Sequence, residues 1–293
     1  MNSLADWLNH LESLHPKGQA GIELGLDRIR TVAQRMQLRF DCPVITVAGT
    51  NGKGSTCAFL TAILESAGLV VHSATKPHLV RYNERIRLAG RLIDDDALAA
   101  LLAEVLDAGQ DLEPSFFEVT TAATFLAYAR VPADVCVIEV GLGGRFDATN
   151  VLDAPAACGI ASLGIDHEGF LLVPEDGVPQ VPIARIAFEK AGIARCEAPL
   201  VTQAYPPEAR AEIEQAASRA GALLAMRGVH WWAEVRDGAL HYRDAMGAHI
   251  LPLPALHGAH QADNAALAVA MLRHQTQLAI PEAAIAEGIA KAR

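Results

Sequence analysis

The chain has 293 residues, 51% of them hydrophobic and 20% charged, enough for one large domain or two modest ones with a substantial buried core. A formal charge of −10 argues against a general nucleic-acid or anionic-membrane binder. The five cysteines (Cys42, Cys57, Cys136, Cys158 and Cys196) are scattered and include no CxxC pair, so they indicate neither a disulfide framework nor a zinc site, but reduced thiols in a cytoplasmic protein.

The first residues carry charges inside their apolar pattern and do not read as a secretory signal, and no apolar run reaches the roughly 18 residues of a membrane span. Amphipathic helices are expected from Asp6 to Leu14 and from Gly25 to Gln37. The β-branched run Pro43–Gly49 predicts a buried strand, followed by a helix over about Lys53–Ala67 that Gly68 ends. LVVHSAT predicts a second strand, with helices near Asp95–Leu106 and Glu118–Ala129. DVCVIEV (Asp134–Val140) is apolar through its middle, as a strand covered on both faces should be. ACGIASL and APLVTQA read as further strands, and helical patterns between most strands favour an open, mainly parallel α/β sheet. HWWAEVRDGALHYRD predicts two short strands about Asp237-Gly238, hence a small antiparallel patch. Helices near His260–Gln275 and Pro281–Lys291 follow.

The most informative segment is Gly49-Thr50-Asn51-Gly52-Lys53-Gly54-Ser55-Thr56, between a strand and a helix. Glycines let backbone N–H groups curl around phosphate oxygens, and a helix N-terminus adds the positive end of its dipole. Lys53 can reach outer phosphates, and the hydroxyl of Ser55 or Thr56 can hydrogen-bond to them. The strict P-loop pattern wants a glycine where Val47 stands, so the loop is a shorter variant.

VAGTNGKGST resembles the phosphate loop of the Mur-ligase superfamily, in particular of folylpolyglutamate/dihydrofolate synthases. HLVRYNERI (His78–Ile86), EVGLGGRFDATN (Glu139–Asn150), Asp166-His167 and EKAGI (Glu189–Ile193) follow in the family's order and at nearly its spacing. The resemblance covers essentially residues 1–293 and implies a P-loop, Mur-ligase-like ATP-binding domain. It also implies an ATP-dependent ligase that joins L-glutamate to dihydropteroate or folate through an acyl phosphate, forming ADP and phosphate. ATP and Mg2+ are the implied cofactors, Glu139 and His167 the implied metal ligands, and Lys190 a further one if carbamylated. Lys53, His167 and Lys190 are the implied catalytic groups. Thr50, Asn51, Gly52, Lys53, Gly54, Ser55 and Thr56 are implied to hold the phosphates and Asn264 the adenine, although an asparagine there also reads as a helix-start residue. His78, Arg81, Phe117, Asp147 and Ala148 are implied on the folate side, with Thr149 continuing the motif. Phe117 reads equally as a core residue.

Three departures from the family pattern stand out. Lys76 takes the place of a metal-ligating serine, and a protonated amine cannot ligate a metal. Either Lys76 occupies the metal's place or the loop differs locally. LLVPEDGVPQVP is longer than the corresponding family loop by roughly eight residues, a change that surface loops tolerate. The resemblance implies that relatives continue into a second, glutamate-ligase domain; with that domain expected to be absent, these residues alone are expected not to turn over. Small-molecule partners, a monomer, a cytoplasmic location, and no nucleic acid or membrane are expected. A different Mur-type amide ligase, or a non-catalytic nucleotide- or folate-binding remnant, are the alternatives.

Overall fold

The computed structural model describes residues 3–13 and 25–293. Helices α1 (Leu4–Ser13) and α2 (Asp27–Arg35) come first. Leu14, expected to end the first helix, lies outside the described residues. Strand β1 (Val44–Ala48) leads through the glycine-rich turn into α3 (Lys53–Ser66), and β2 (Val71–Ala74) follows. Two very short strands, β3 (Ile86–Leu88) and β4 (Arg91–Leu92), are additions to the sequence reading. Helix α4 (Asp95–Ala108) is capped by Asp94, whose side chain accepts the Ala97 N–H at 2.7 Å. Helix α5 (Phe116–Arg130) begins earlier than expected, because Ser115 and Glu118 form a reciprocal capping box.

The second half contains β5 (Val135–Glu139), β6 (Ala157–Ile160), the short α6 (Glu168–Leu171) and α7 (Pro182–Ala191). After these come β7 (Pro199–Thr202), α8 (Pro207–Ala220) and β8 (Leu223–Met226). Strands β9 (Trp231–Arg236) and β10 (Ala239–Asp244) form the expected hairpin, and β11 (Gly247–Leu251) adds a third antiparallel strand. Helices α9 (His260–His274) and α10 (Glu282–Lys291) complete the order.

The main sheet has eight strands in the order β4-β3-β2-β5-β1-β6-β7-β8. The six strands from β2 to β8 run parallel, and only β3 and β4 are antiparallel. Alternate residues of the central strands enter opposite layers, which is why their sequences are apolar throughout. Ile45, Val47, Val135 and Val137 face the cluster built with α3, α9 and α10. Val44, Cys136 and Ile138 face the cluster of α1, α2, α4 and α5, while Cys158 and Ile160 face that of α7 and α8. The three-stranded sheet joins the first cluster through buried Trp231, Leu240, Tyr242 and Leu251. The five cysteines are free thiols. Among the described residues, no helix is long and apolar enough to cross a membrane.

This topology positions the site. After β1 the chain moves outward to β2, returns through β5 beside β1, and then crosses to β6 on β1's other side. Ligands in such sheets bind where the strand order reverses, beyond the strands' carboxyl ends. The segments that follow β1, β5 and β6 are 49–52, 140–147 and 161–167, which carry most of the motifs singled out in the sequence.

Candidate active site

The phosphate loop starts later than a strict P-loop because Val47 is part of β1, paired in register with Glu139 on β5 and Gly159 on β6. Two backbone bonds, from the Thr50 N–H and Asn51 N–H to the Ser162 carbonyl (2.8 and 3.3 Å), tie the loop to the segment after β6. The Thr50 hydroxyl also donates to the Gly164 carbonyl at 2.8 Å. Gly52 turns the chain into α3 with φ +82°, a left-handed conformation that glycine adopts freely. A Cβ there would overlap Asn264 Oδ1 and lie 3.1 Å from its Cγ. The start of α9 is thus packed on the phosphate loop, with Asn264 buried and its amide bonded to Gln261 at 3.0 Å. Lys53 Nζ folds back on the loop and donates to the Gly49 and Thr50 carbonyls (2.9 and 3.2 Å). Of the two hydroxyls considered for phosphate contact, that of Thr56 is fully buried with no hydrogen-bond partner among the described residues, while Ser55 is half-buried.

Beside the loop opens a cavity of about 440 Å³. Its wall includes Thr50, Lys53, Lys76, Arg85, Phe117, Glu139, Asp147 and His167. Glu139 closes β5 and is 3% exposed. Its Oε2 accepts the Lys76 N–H at 2.9 Å, and the Lys76 ammonium donates to the Glu139 carbonyl at 3.2 Å. The same ammonium stands 4.3 Å from the centre of the Phe117 ring, a cation–π contact. Burial raises the Glu139 carboxyl above its ordinary pKa, opposed by the Lys76 amide and by nearby cations. Burial lowers the Lys76 ammonium, opposed chiefly by Asp147 and Glu139.

The loop after β5 and the end of α7 are locked together. A Cβ on Gly144 would fall 2.8 Å from the Glu189 carbonyl oxygen and 2.9 Å from that of Lys190. Arg145 bonds Glu189 (2.8 Å) and Glu175 (2.6 Å), and Arg185 bonds both as well (3.1 and 2.8 Å). The longer loop noted in the sequence is therefore anchored through Glu175, whose carboxyl Arg145 and then Arg185 hold down at about 2. Asp147 spends its carboxylate on its own loop, accepting from the Leu142 N–H (2.8 Å), the Thr149 N–H (3.0 Å) and the Thr149 hydroxyl (2.6 Å). Lys190 is 2% exposed, and its side chain makes no hydrogen bond among the described residues. Burial first, and repulsion from Lys53 second, lower its pKa to about 8, against the pull of Asp166, Asp147 and Glu189.

Of the sequence-predicted residues, the cavity wall brings together Thr50, Lys53, Phe117, Glu139, Asp147, Ala148 and His167. Lys190 and Asn264 are not part of that wall. His78 and Arg81 do not reach it. His78 Nδ1 accepts from Arg85 Nε at 2.8 Å, and Arg81 pairs with Asp95 at 2.7 Å on the surface. From that same segment it is Arg85 that lines the cavity, together with Phe146 and Asp166 from the neighbouring motifs. Sequence reasoning missed these three. Arg85 lies one position before β3, and recognising that strand was the missing signal.

The donors suit a hard divalent cation in part. Glu139 Oε1 accepts no hydrogen bond among the described residues, and Asp166 adds carboxylate oxygens to the same cavity. His167, beside Asp166, takes φ +50°, a strained conformation of the kind kept at functional sites. No group of three or more His, Cys, Asp or Glu side chains clusters for a metal among the described residues. A second cation would depend on oxygens that an unmodified Lys190 does not supply.

No family model matches the chain. It is 42% identical over 291 residues to the dihydrofolate synthase/folylpolyglutamate synthase of Escherichia coli, covering 99% of this chain and 64% of the relative. A solved structure of the Escherichia coli protein in complex with DHPP and ADP superposes with a TM-score of 0.88 at 41% identity, covering 99% of this chain and 66% of that one. The bifunctional folylpolyglutamate synthase/dihydrofolate synthase of Yersinia pestis, complexed with AMPPNP and Mn ion, gives a TM-score of 0.85 at 35% identity over 99% of this chain and 67% of its own. The chain thus spans about two thirds of the length of these relatives, slightly less in the first two.

Proposed function

The chain belongs to the folylpolyglutamate synthase/dihydrofolate synthase family, and from that premise we propose that it carries the ATP-binding part of a ligase. In this reading a carboxylate oxygen of dihydropteroate or a folate attacks the γ-phosphorus of ATP, releasing ADP. The amino nitrogen of L-glutamate then attacks the acyl carbon and phosphate departs with its oxygen. The observation that carries the reading is the single cavity that runs from Lys53 of the phosphate loop, past Glu139 and Lys76, to the ring of Phe117. A nucleotide phosphate and a flat aromatic acid can meet there.

Thr50 to Thr56 are assigned to the phosphates, with Lys53 leaving its two carbonyl partners to take a phosphate oxygen. Asn264 is assigned to the adenine side. Glu139 and His167, with a carbamylated Lys190, would hold magnesium, which when bound neutralises charge on the transferring phosphoryl group. Phe117 stacks the pterin, and Asp147 and Ala148 shape the same wall. Glu139, buried at the end of β5, helps orient the reacting groups. The partners are small molecules, and we read the protein as a cytoplasmic monomer that engages neither nucleic acid nor membrane. The charge of −10 supports the last point.

The test is calorimetry with AMPPNP and with dihydropteroate, followed by glutamate-dependent ADP release from the full-length protein. Binding of both ligands, with ADP formed only when acid acceptor and glutamate are present, supports the ligase. Nucleotide binding without any pteridine binding refutes it.

A further inference from the structure

Among the described residues, the Lys76 ammonium has no carboxylate partner. Its ammonium has three hydrogens, and the protein uses one on the Glu139 carbonyl. The Phe117 ring face takes a second direction. Among the described residues it forms no ion pair, nor do the other two cations of the cavity wall, Lys53 and Arg85. Asp147, the nearest candidate by charge, is saturated by its own loop. Arg85 is occupied on one edge by His78 and on its face by Tyr82, 4.8 Å from the ring centre. A half-buried ammonium at the cavity wall without a counter-ion is costly, and the free valence is satisfied when an anion enters the cavity.

The position of that anion follows from the neighbours. One side of Lys76 is the Phe117 ring, the surface for a flat aromatic ligand. The other is Glu139, paired in register with β1, whose end opens into the phosphate loop. An anionic group at Lys76 therefore lies between an aromatic stack and a phosphate. We propose that Lys76 is a substrate-binding residue that holds the carboxylate of the aromatic acid, the oxygen-bearing group to be phosphorylated. This rests on the ligase reading. The role is electrostatic: a carboxylate and a triphosphate repel each other, and a cation beside the carboxylate lets them approach.

The experiment compares two ligands, pteroate and its carboxamide, which differ in the charge of one group. Each is titrated calorimetrically into the full chain as wild type, Lys76→Met and Lys76→Gln, with thermal melts to establish that each variant is folded. The wild type is expected to prefer the carboxylate by 10-fold or more. Both variants are expected to lose that preference, through weaker carboxylate binding, while carboxamide binding stays within about 2-fold of wild type. Unchanged pteroate binding in folded variants would overturn the assignment. So would equal loss of both ligands, which would mark Lys76 as a support for Phe117. A wild type that binds AMPPNP but neither pteroyl compound would overturn the ligase reading itself and this assignment with it.

Discussion

The packing of Asn264 against Gly52 gives the most quantitative test of the site. Gly52→Ala imposes two separable penalties. A left-handed alanine costs about 1–2 kcal/mol because its Cβ crowds the following carbonyl. The added methyl would also collide with Asn264 Oδ1, on a buried side chain pinned to Gln261, and overpacking of that kind costs roughly 1–3 kcal/mol. The single variant should therefore lose about 2–5 kcal/mol, measured by urea unfolding followed by circular dichroism. Asn264→Ala alone should lose about 1–3 kcal/mol, because Gln261 is left with an unpaired carbonyl. In the double variant the collision partner is gone but the backbone penalty remains. Its loss should be smaller than the sum of the singles by about 1–3 kcal/mol. Additivity within about 0.5 kcal/mol would refute the contact between α9 and the phosphate loop.

Three further outcomes are expected. Lys53→Ala should weaken AMPPNP binding about 10- to 100-fold, the worth of a charge-assisted bond, with the melting temperature near that of the parent; unchanged affinity by calorimetry would remove Lys53 from the phosphate site. Lys190 has a folded pKa of about 8, below the ordinary lysine value of 10.5, so the unfolded chain binds more protons between those values and wild-type stability should rise across that window. Lys190→Met should accordingly be more stable than wild type at pH 7, with the gap closing from about pH 8 upward; a pH-independent gap in urea midpoints would show that the amine is not buried as a cation. Because the Lys76 ammonium already stands at Glu139, AMPPNP affinity should depend less on magnesium in the parent than in Lys76→Ser; equal dependence, measured with and without a chelator, would contradict that expectation.

The sequence was informative where one physical constraint dominates. The central strands were legible because burial on both faces leaves only apolar residues, as in β1 and β5. The phosphate loop was legible because glycines, a lysine and a strand–helix boundary coincide. Strands β3 and β4 were not, since two or three residues cannot display a period. That gap mattered, because it hid Arg85, which lines the cavity while His78 and Arg81 of the same segment face elsewhere. β11 was missed because GAHIL has no strong alternation, and its pairing with β10 supplies the order. The start of α5 was written in Ser115-Phe-Phe-Glu118, a capping box, but the apolar run drew the boundary inward.

The motifs that most strongly identify the family are largely scaffold. Gly144 admits the carbonyls of Glu189 and Lys190, and Gly192 admits the Arg145 backbone, where a Cβ would come within 2.6 Å of Cα. Asp147 and Asn150 spend their polar atoms within the same interlock, and Asn150 bonds the carbonyls of Arg145 (3.1 Å) and Gly192 (3.0 Å). The polar atoms so committed fix the shape of the loops around the cavity. Chemical capacity lies with the groups that the lock leaves open: Glu139 Oε1, the third hydrogen of Lys76 and the amine of Lys190. Lys190 is the clearest case. Its neighbour Glu189 is clamped by two arginines, so the α7 backbone cannot turn the lysine outward to solvent at low cost. The fold therefore holds a buried amine whose pKa burial and Lys53 lower to about 8, a penalty that Asp166, Asp147 and Glu189 offset only in part. What remains of that penalty is lifted if the amine ceases to be a cation, a condition that describes chemistry at this site rather than packing.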